Sequence, residues 1–326
     1  MHRLRDMLAY AALWLAIEAA RMAVRILPRR FLLSLSTAFS DTAFYLFSGF
    51  HKRSTGNLRR AFGDRFDAKK SRSLVKESLR NFFRSFFEMG LAFEQTPEQM
   101  RAQIPVEGRE HLAEALDKNA GVIALSGHLG NFFLLGTRLA VEGYSTHVLI
   151  KQPKTGTLAQ IFDHYRLQIG QKTIHARPRR QAFRELIQVL RLNEVAVVIA
   201  DEFRSGSGIY VPFFGCTVLA RRGPATLALR TGAALVPVYL IRNPNGELSL
   251  IIEPEIKLSK TGDIKADVTE STRRITQWLE KTVRQYPDQW NWMNIHWHQA
   301  YGLEKNHPCE TVSGEKSSQQ GGTKQK

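Results

Sequence analysis

Residues 121–143 read GVIALSGHLGNFFLLGTRLAVEG, and this stretch indicates the fold more clearly than any other. The uninterrupted apolar run Val122–Leu125 predicts a buried strand, and the spacing over Asn131–Glu142 predicts a helix directly after it. The glycine-rich turn Ser126–Asn131 between them would then lie at the carboxyl end of a strand. Open α/β sheets bind ligands at that edge. The turn is therefore the first candidate for a functional site.

The same alternation of short apolar runs and helical spacing continues toward the C-terminus. Further buried strands are predicted at His147–Ile150, Val195–Ala200 and Leu235–Ile241. Helices are predicted between them, at Thr157–Ile169 and Arg180–Leu192. Leu248–Glu253 predicts a strand antiparallel to its predecessor, because a short Asn-Pro-Asn-Gly turn joins the two. An amphipathic helix, Asp267–Gln285, follows. The pattern predicts an α/β fold with a mixed, mainly parallel central sheet covered by helices.

The first fifty residues differ from the rest. Met7–Leu27 is largely apolar but contains Glu18, Arg21 and Arg25, and a second apolar stretch, Phe31–Phe50, follows. A charge at the centre of a spanning helix costs about 2.5–3.5 kcal/mol, so a helix in the membrane interface is favoured over a spanning one. The alternative is that both stretches are core helices. We therefore predict membrane-associating helices over 1–50, an α/β domain over 51–303 and a disordered polar tail over 304–326.

The charge and the cysteine content limit the choice of partners. The chain has 46 Lys and Arg against 30 Asp and Glu, a net charge of +16. Such a charge favours nucleic acid or an anionic membrane as partner, and no zinc finger, basic zipper or RNP-type motif points to nucleic acid. The two cysteines exclude a disulfide framework, and we expect Cys216 and Cys309 to stay unpaired. No metal or cofactor is expected.

His128 is the candidate catalytic group of the turn. An imidazole can remove a proton from a hydroxyl near neutral pH, and the N-terminus of a following helix would offer N–H groups to a developing negative charge. Gly127 and Gly130 would let a substrate approach closely. The alternative is a structural histidine whose ring is satisfied within the core.

The turn resembles the H-x4-D/E block of bacterial glycolipid acyltransferases. These are the lipid A secondary (lauroyl/myristoyl) acyltransferases and the relatives that acylate mannosylated phosphatidylinositol, within the lysophospholipid and glycerol-phosphate acyltransferase superfamily. Other blocks resemble the family in the same order: Asn57–Phe62, Arg166–Gly170, Asp201, Val211–Gly215, Arg222–Ala225, Thr231–Ala233, Val236-Pro237 and Pro287–Trp290 with Trp292-Met293. The ordered set is far more specific than any one block.

The resemblance implies an enzyme that moves a fatty acyl group from acyl carrier protein, or from coenzyme A, to a hydroxyl of a membrane glycolipid such as a lipid A precursor. His128 would deprotonate the hydroxyl. N–H groups near Gly130 and Asn131, or the cation of Arg166, would stabilise the oxyanion. The enzyme would sit on the cytoplasmic face of the bacterial inner membrane, anchored by its N-terminal helix to an anionic surface, without a nucleic-acid partner.

The sequence departs from the family at one decisive position. The acid of H-x4-D/E would be residue 133, which is Phe133 here. Three interpretations are open. Another acid replaces it: Asp201 or Glu202 at the next strand end, or less favourably Glu142. The backbone alone orients the histidine and the enzyme is slower. Or the chain is an inactive relative that still binds lipid.

The candidate site is completed by residues of two kinds. The candidate catalytic residues are His128, Asp201, Glu202 and Arg166. The candidate substrate-binding residues are Gly130, Asn131, Phe133, Phe213, Phe214 and Arg222, with Phe132 as a further part of an apolar groove for the acyl chain. A helical run of phenylalanines at 82, 83, 86 and 87 predicts either core packing or a surface that faces acyl chains or membrane.

Overall fold

The computed structural model describes residues 15, 18, 19, 22, 23, 25–151, 163, 164, 166–203, 208–293, 295 and 297. Its helices are α1 (Arg29–Leu46), α2 (Ser48–Phe62), α3 (Ala68–Ala92), α4 (Pro97–Gln103), α5 (Arg109–Leu116), α6 (Leu135–Val141), α7 (Arg179–Arg191), α8 (Gly223–Thr231) and α9 (Ile264–Gln285). Its strands are β1 (Val106–Glu107), β2 (Val122–Ser126), β3 (Thr146–Ile150), β4 (Lys172–His175), β5 (Val195–Ile199), β6 (Ile209–Phe213), β7 (Cys216–Ala220), β8 (Ala234–Arg242) and β9 (Leu248–Ile252).

The central sheet has the strand order β1-β9-β8-β2-β5-β3-β4. β9 is antiparallel to β8, and the other neighbours pair in parallel. The predicted mixed, mainly parallel sheet is therefore confirmed, as is the antiparallel β8–β9 turn. β6 and β7 form a separate antiparallel hairpin.

The apolar run of β2 is explained by burial on both faces of the sheet. Ile123 and Leu125 belong to one hydrophobic core, with side chains of α7, α8 and α9. Val122 and Ala124 belong to a second core on the other face, with side chains of α5 and α6. Alternate residues of a strand point to opposite faces, so a sheet covered on both sides needs apolar residues throughout.

Several predicted boundaries were wrong. The helix after the turn begins at Leu135 rather than Asn131. Strand β4 was not predicted, because only one of its residues is buried and it leaves no apolar run in the sequence. The β6–β7 hairpin was not predicted either, and it is not part of the central sheet. Most of the predicted helix Thr157–Ile169 lies outside the described residues. Cys216 is disulfide-bonded, contrary to the prediction that it stays unpaired, and Cys309 lies outside the described residues.

The helix α1 has apolar residues on two faces, one buried and one exposed. Leu32, Ala43 and Phe44 are buried, and Asp41 pairs with Arg80 of α3 at 2.6 Å. The outer face exposes about half of each of three large side chains, Phe31, Leu35 and Phe39. None of the helices in the described part of the chain is long and apolar enough to cross a membrane. Most of Met7–Leu27 and the whole tail 304–326 lie outside that part.

Candidate active site

The register of the two central strands brings the candidate histidine and an acid together. β2 and β5 pair in parallel, with Ser126 opposite Ile199. The pairing continues one step, because the N–H of Ala200 donates to the carbonyl of Ser126 at 2.8 Å. His128 and Asp201 each follow the last paired residue of their strand by two positions. They therefore leave the sheet side by side at its carboxyl edge.

His128 and Asp201 make two direct contacts. The ring Nδ1 of His128 is 2.7 Å from Oδ1 of Asp201, and the backbone N–H of His128 donates to Oδ2 at 2.7 Å. The indole N–H of Trp290 donates to the same Oδ2 at 2.8 Å. Burial alone would raise the pKa of the Asp201 carboxyl, but the charge and hydrogen bonds of His128, with the Trp290 bond, hold it below its ordinary value. The carboxylate is thus ionised and fixed.

The loop after β2 requires glycine for steric reasons. Gly130 has φ +55°, and a Cβ there would lie 1.8 Å from the carbonyl oxygen of Leu240. The close approach also engages two backbone N–H groups of the loop. The N–H of Gly130 donates to Gln289 O at 3.0 Å, and the N–H of Asn131 donates to Leu240 O at 2.9 Å. The N–H groups of Gly130 and Asn131, near which an oxyanion was predicted to bind, are therefore already bonded within the protein. They hold the loop against Gln289 and against Leu240 of β8.

A cleft of about 1030 Å³ opens beside the imidazole. His128 and Phe132 line it, with ring centroids 5.0 Å apart. Phe133 stacks on Phe132 at 4.3 Å, and the rings of Phe82 and Phe86 meet Phe133 edge-on at 5.7 and 6.0 Å. We call these four phenylalanines the aromatic wall. Of the predicted run on α3, Phe86 lines the cleft, and Phe82 packs against Phe133 without lining it.

The cleft also contains most of the predicted charged residues. Arg166 lines it and donates to Asp163 at 3.1 Å, and burial lowers the pKa of the Arg166 guanidinium. Glu202 lies 3.9 Å from Arg221. The side chains of positive charge that line the cleft are Lys151, Arg166, Arg177, Arg179, Arg221 and Arg222. Glu202 is the acidic residue among the described lining residues.

Comparison with known proteins identifies the family. The sequence model for bacterial lipid A biosynthesis acyltransferases matches residues 1–299. This chain belongs to that family. It is 26% identical over 293 residues to the phosphatidylinositol mannoside acyltransferase of Mycobacterium tuberculosis, covering 89% of this chain and 87% of the relative. The corresponding enzyme of Mycolicibacterium smegmatis is 27% identical over 226 residues, covering 69% and 72%. The lipid A biosynthesis palmitoleoyltransferase of Escherichia coli is 23% identical over 235 residues, covering 70% and 72%.

Phe133, where the resemblance places the acid of H-x4-D/E, is thus part of the aromatic wall, and the acid at the imidazole comes from the end of β5. Two other predicted assignments are corrected. Glu142 is held by Arg138 and Arg109 at 2.5 and 2.9 Å, just after the C-terminal end of α6 rather than at His128. Phe213 and Phe214 are core residues, packed on Trp290 and Trp292, and they are not among the side chains that line the cleft.

Sequence reasoning missed two residues that shape this acyltransferase site. Gln171 donates to the carbonyl of Phe133 at 2.7 Å and to Thr137 Oγ1 at 2.8 Å, so it supports the backbone of the aromatic wall. Trp290 was recognised as part of a family block, but its bond to Asp201 was not predicted. The closing tryptophan block was the available signal, since a buried indole N–H needs an acceptor.

Proposed function

We propose that this acyltransferase moves a fatty acyl group from a thioester donor, acyl carrier protein or coenzyme A, to a hydroxyl of a membrane glycolipid such as a lipid A precursor. The observation that carries the proposal is the contact between His128 and Asp201, 2.7 Å, at the edge of a large cleft. An imidazole held through Nδ1 by a carboxylate is suited to accept a proton at its other nitrogen, Nε2.

In the proposed reaction Nε2 of His128 takes the proton of the acceptor hydroxyl as that oxygen attacks the thioester carbonyl. Asp201 stabilises the imidazolium that forms. The tetrahedral intermediate then collapses, the C–S bond breaks, and the departing thiolate takes the proton from the imidazolium. The carbonyl oxygen is negative in the intermediate, and Arg166 is the proposed group that stabilises it, since a partly buried guanidinium interacts more strongly with an anion than one in water does.

The lining of the cleft supports an acyl chain and an anionic substrate together. The aromatic wall offers apolar surface, and burying a methylene group there contributes about 0.8 kcal/mol. The cationic residues of the cleft, Arg222 among them, favour donors or acceptors that carry phosphate, and they favour the acidic surface of acyl carrier protein.

The exposed side of α1 supports binding to the cytoplasmic face of the bacterial inner membrane. Phe31, Leu35 and Phe39 recur every fourth residue on one face of the helix, as in helices that lie in the membrane interface. Basic residues would add attraction to anionic lipid. Replacing all three with Gln in the full chain should abolish co-flotation with anionic vesicles. Unchanged flotation would remove α1 from the proposal.

The function is tested by assaying purified protein with acyl carrier protein and coenzyme A thioesters against a lipid A precursor and a phosphatidylinositol mannoside. We expect transfer with at least one pair, and loss of about 10³-fold or more in His128→Ala. The competing proposal is an inactive relative that binds lipid. It is disfavoured by the Asp201 contact, and it would be supported if wild type and His128→Ala were equally inactive.

A further inference from the structure

We propose that Trp290 is a positioning residue for acyl transfer: its indole N–H holds the Asp201 carboxylate in the orientation that fixes the ring of His128. The inference rests on the proposed function for the role of His128 as a base. The indole N–H of Trp290 acts on His128 through Asp201. No other role is assigned to it by the family pattern described above.

The two carboxylate oxygens of Asp201 have different hydrogen-bond partners. Oδ2 accepts two bonds, from the Trp290 indole and from the backbone N–H of His128, at 2.8 and 2.7 Å. Oδ1 faces Nδ1 of His128 at 2.7 Å. Two donors on one oxygen prevent the carboxylate from rotating, since rotation would break both. Asp201 is 3% exposed and Trp290 is 1% exposed, so water does not replace the indole.

The indole is itself held by the chain around it. We call Pro287–Trp292 the C-terminal strap. Trp290 forms an antiparallel bridge with Leu129, next to the histidine. The N–H of Asn291 donates to the carbonyl of His128 at 3.0 Å. One segment thus supports both the backbone of the histidine and the side chain of its acid.

The strap is anchored from the N-terminal helices. Asn57 of α2 donates its amide to the carbonyl of Trp292 at 2.7 Å, and Ser78 of α3 donates to the carbonyl of Trp290. Two sequence blocks far apart in the chain therefore meet at the strap. Precise orientation of a base depends on such supporting contacts.

Removing the indole N–H has an electrostatic consequence with a definite sign. The donor withdraws charge from Asp201, so its loss makes the carboxylate more basic and the imidazolium of His128 more stable. The acidic limb of the pH–rate profile should then move to higher pH. The other charged groups nearby are already engaged: Glu202 lies 3.9 Å from Arg221, and Glu88 of α3 pairs with Arg242 at 2.8 Å.

The test compares Trp290→Phe with Trp292→Phe. Trp292 lies in the same strap, is equally buried, and donates its indole N–H to Pro287 O at 2.6 Å, with no contact to Asp201. Both variants lose one indole bond and similar volume. We expect kcat to fall about 10- to 100-fold in Trp290→Phe, and its acidic limb to rise by on the order of half a pH unit. In Trp292→Phe the acidic limb of the pH–rate profile should stay at its wild-type pH.

Two further measurements keep the inference falsifiable. If Trp290→Phe does not fold, 3-benzothienylalanine at position 290 keeps the shape and replaces only the N–H by sulfur. An NMR titration of the His128 ring needs no activity, so it separates this inference from the proposed function. A shifted titration in an inactive protein would support the contact and refute the reaction. Equal titrations and equal pH limbs in both tryptophan variants would overturn the positioning role.

Discussion

The two sides of His128 have opposite chemistry. On one side lie Asp201 and Trp290, buried and joined by short hydrogen bonds. On the other lies the aromatic wall, beginning with Phe132 at 5.0 Å from the imidazole. The polar side orients the ring, and the apolar side shapes the space beside it. In this chain the carboxylate at the imidazole comes from the end of the neighbouring strand, and position 133 belongs to the aromatic wall.

The polar side should dominate activity. Asp201→Asn keeps the size of the side chain but removes the charge that stabilises the imidazolium, so we expect kcat to fall by roughly 10³- to 10⁴-fold. Loss of the negative charge also makes the imidazole less basic. The acidic limb of kcat/KM should therefore move to lower pH, opposite to the shift expected for Trp290→Phe.

Glu202→Gln is the matched control for Asp201→Asn. Glu202 is the next residue, lines the same cleft and lies near Arg221. We expect it to change kcat by less than about 10-fold, because the carboxylate at the ring belongs to Asp201. Steady-state rates across pH measure both variants. A larger loss of kcat in Glu202→Gln than in Asp201→Asn would show that Glu202, and not Asp201, is the acid that acts with His128.

The apolar side is tested by restoring the family's acid. In Phe133→Asp a carboxylate would replace a ring that is stacked on Phe132 and flanked by Phe82 and Phe86. An unpaired polar group among apolar neighbours costs about 1–3 kcal/mol. We expect lower thermal stability and about 10-fold lower activity than in Phe133→Leu, which stays apolar. A Phe133→Asp enzyme faster than Phe133→Leu would show that the new carboxylate reaches the imidazole.

How much the sequence could predict depended on the range of the interactions. The β2 strand and the turn after it were predictable, because continuous burial leaves an apolar run in the local sequence. Asp201 was one of several acids considered, and the register of β2 and β5 was needed to select it. Trp290 was not predictable as its partner, since no local pattern reports a contact across 89 positions.

The engagement of the Gly130 and Asn131 N–H groups was not predictable for a related reason. The sequence indicated a helix starting at Asn131, which would have left N–H groups pointing into the cleft. The loop instead crosses the end of β8, where the carbonyl of Leu240 accepts the N–H of Asn131. The helix α6, which has seven residues, begins only at Leu135. Gly130 permits this crossing. A glycine is as typical of a close approach between backbones as of an open turn, so the residue type alone did not distinguish the two.

The smallest effect is expected at the cationic residues that line the cleft. Arg179 is exposed, lines the cleft and begins α7. In Arg179→Gln we expect a two- to fivefold higher KM for an anionic donor at low ionic strength, with kcat unchanged. The difference should nearly vanish at about 0.5 M salt, because exposed charges are screened over a few ångströms there.

The control for Arg179→Gln is Arg191→Gln, at the other end of the same helix. Arg191 is also exposed, and thirteen residues of helix place it about 18 Å from Arg179. The two variants have the same net charge. If the KM increase reflects attraction of the donor to the cleft, it should appear in Arg179→Gln alone. If both variants raise KM equally, the attraction comes from the overall charge of +16, and the cationic lining of the cleft has no special role in binding the donor.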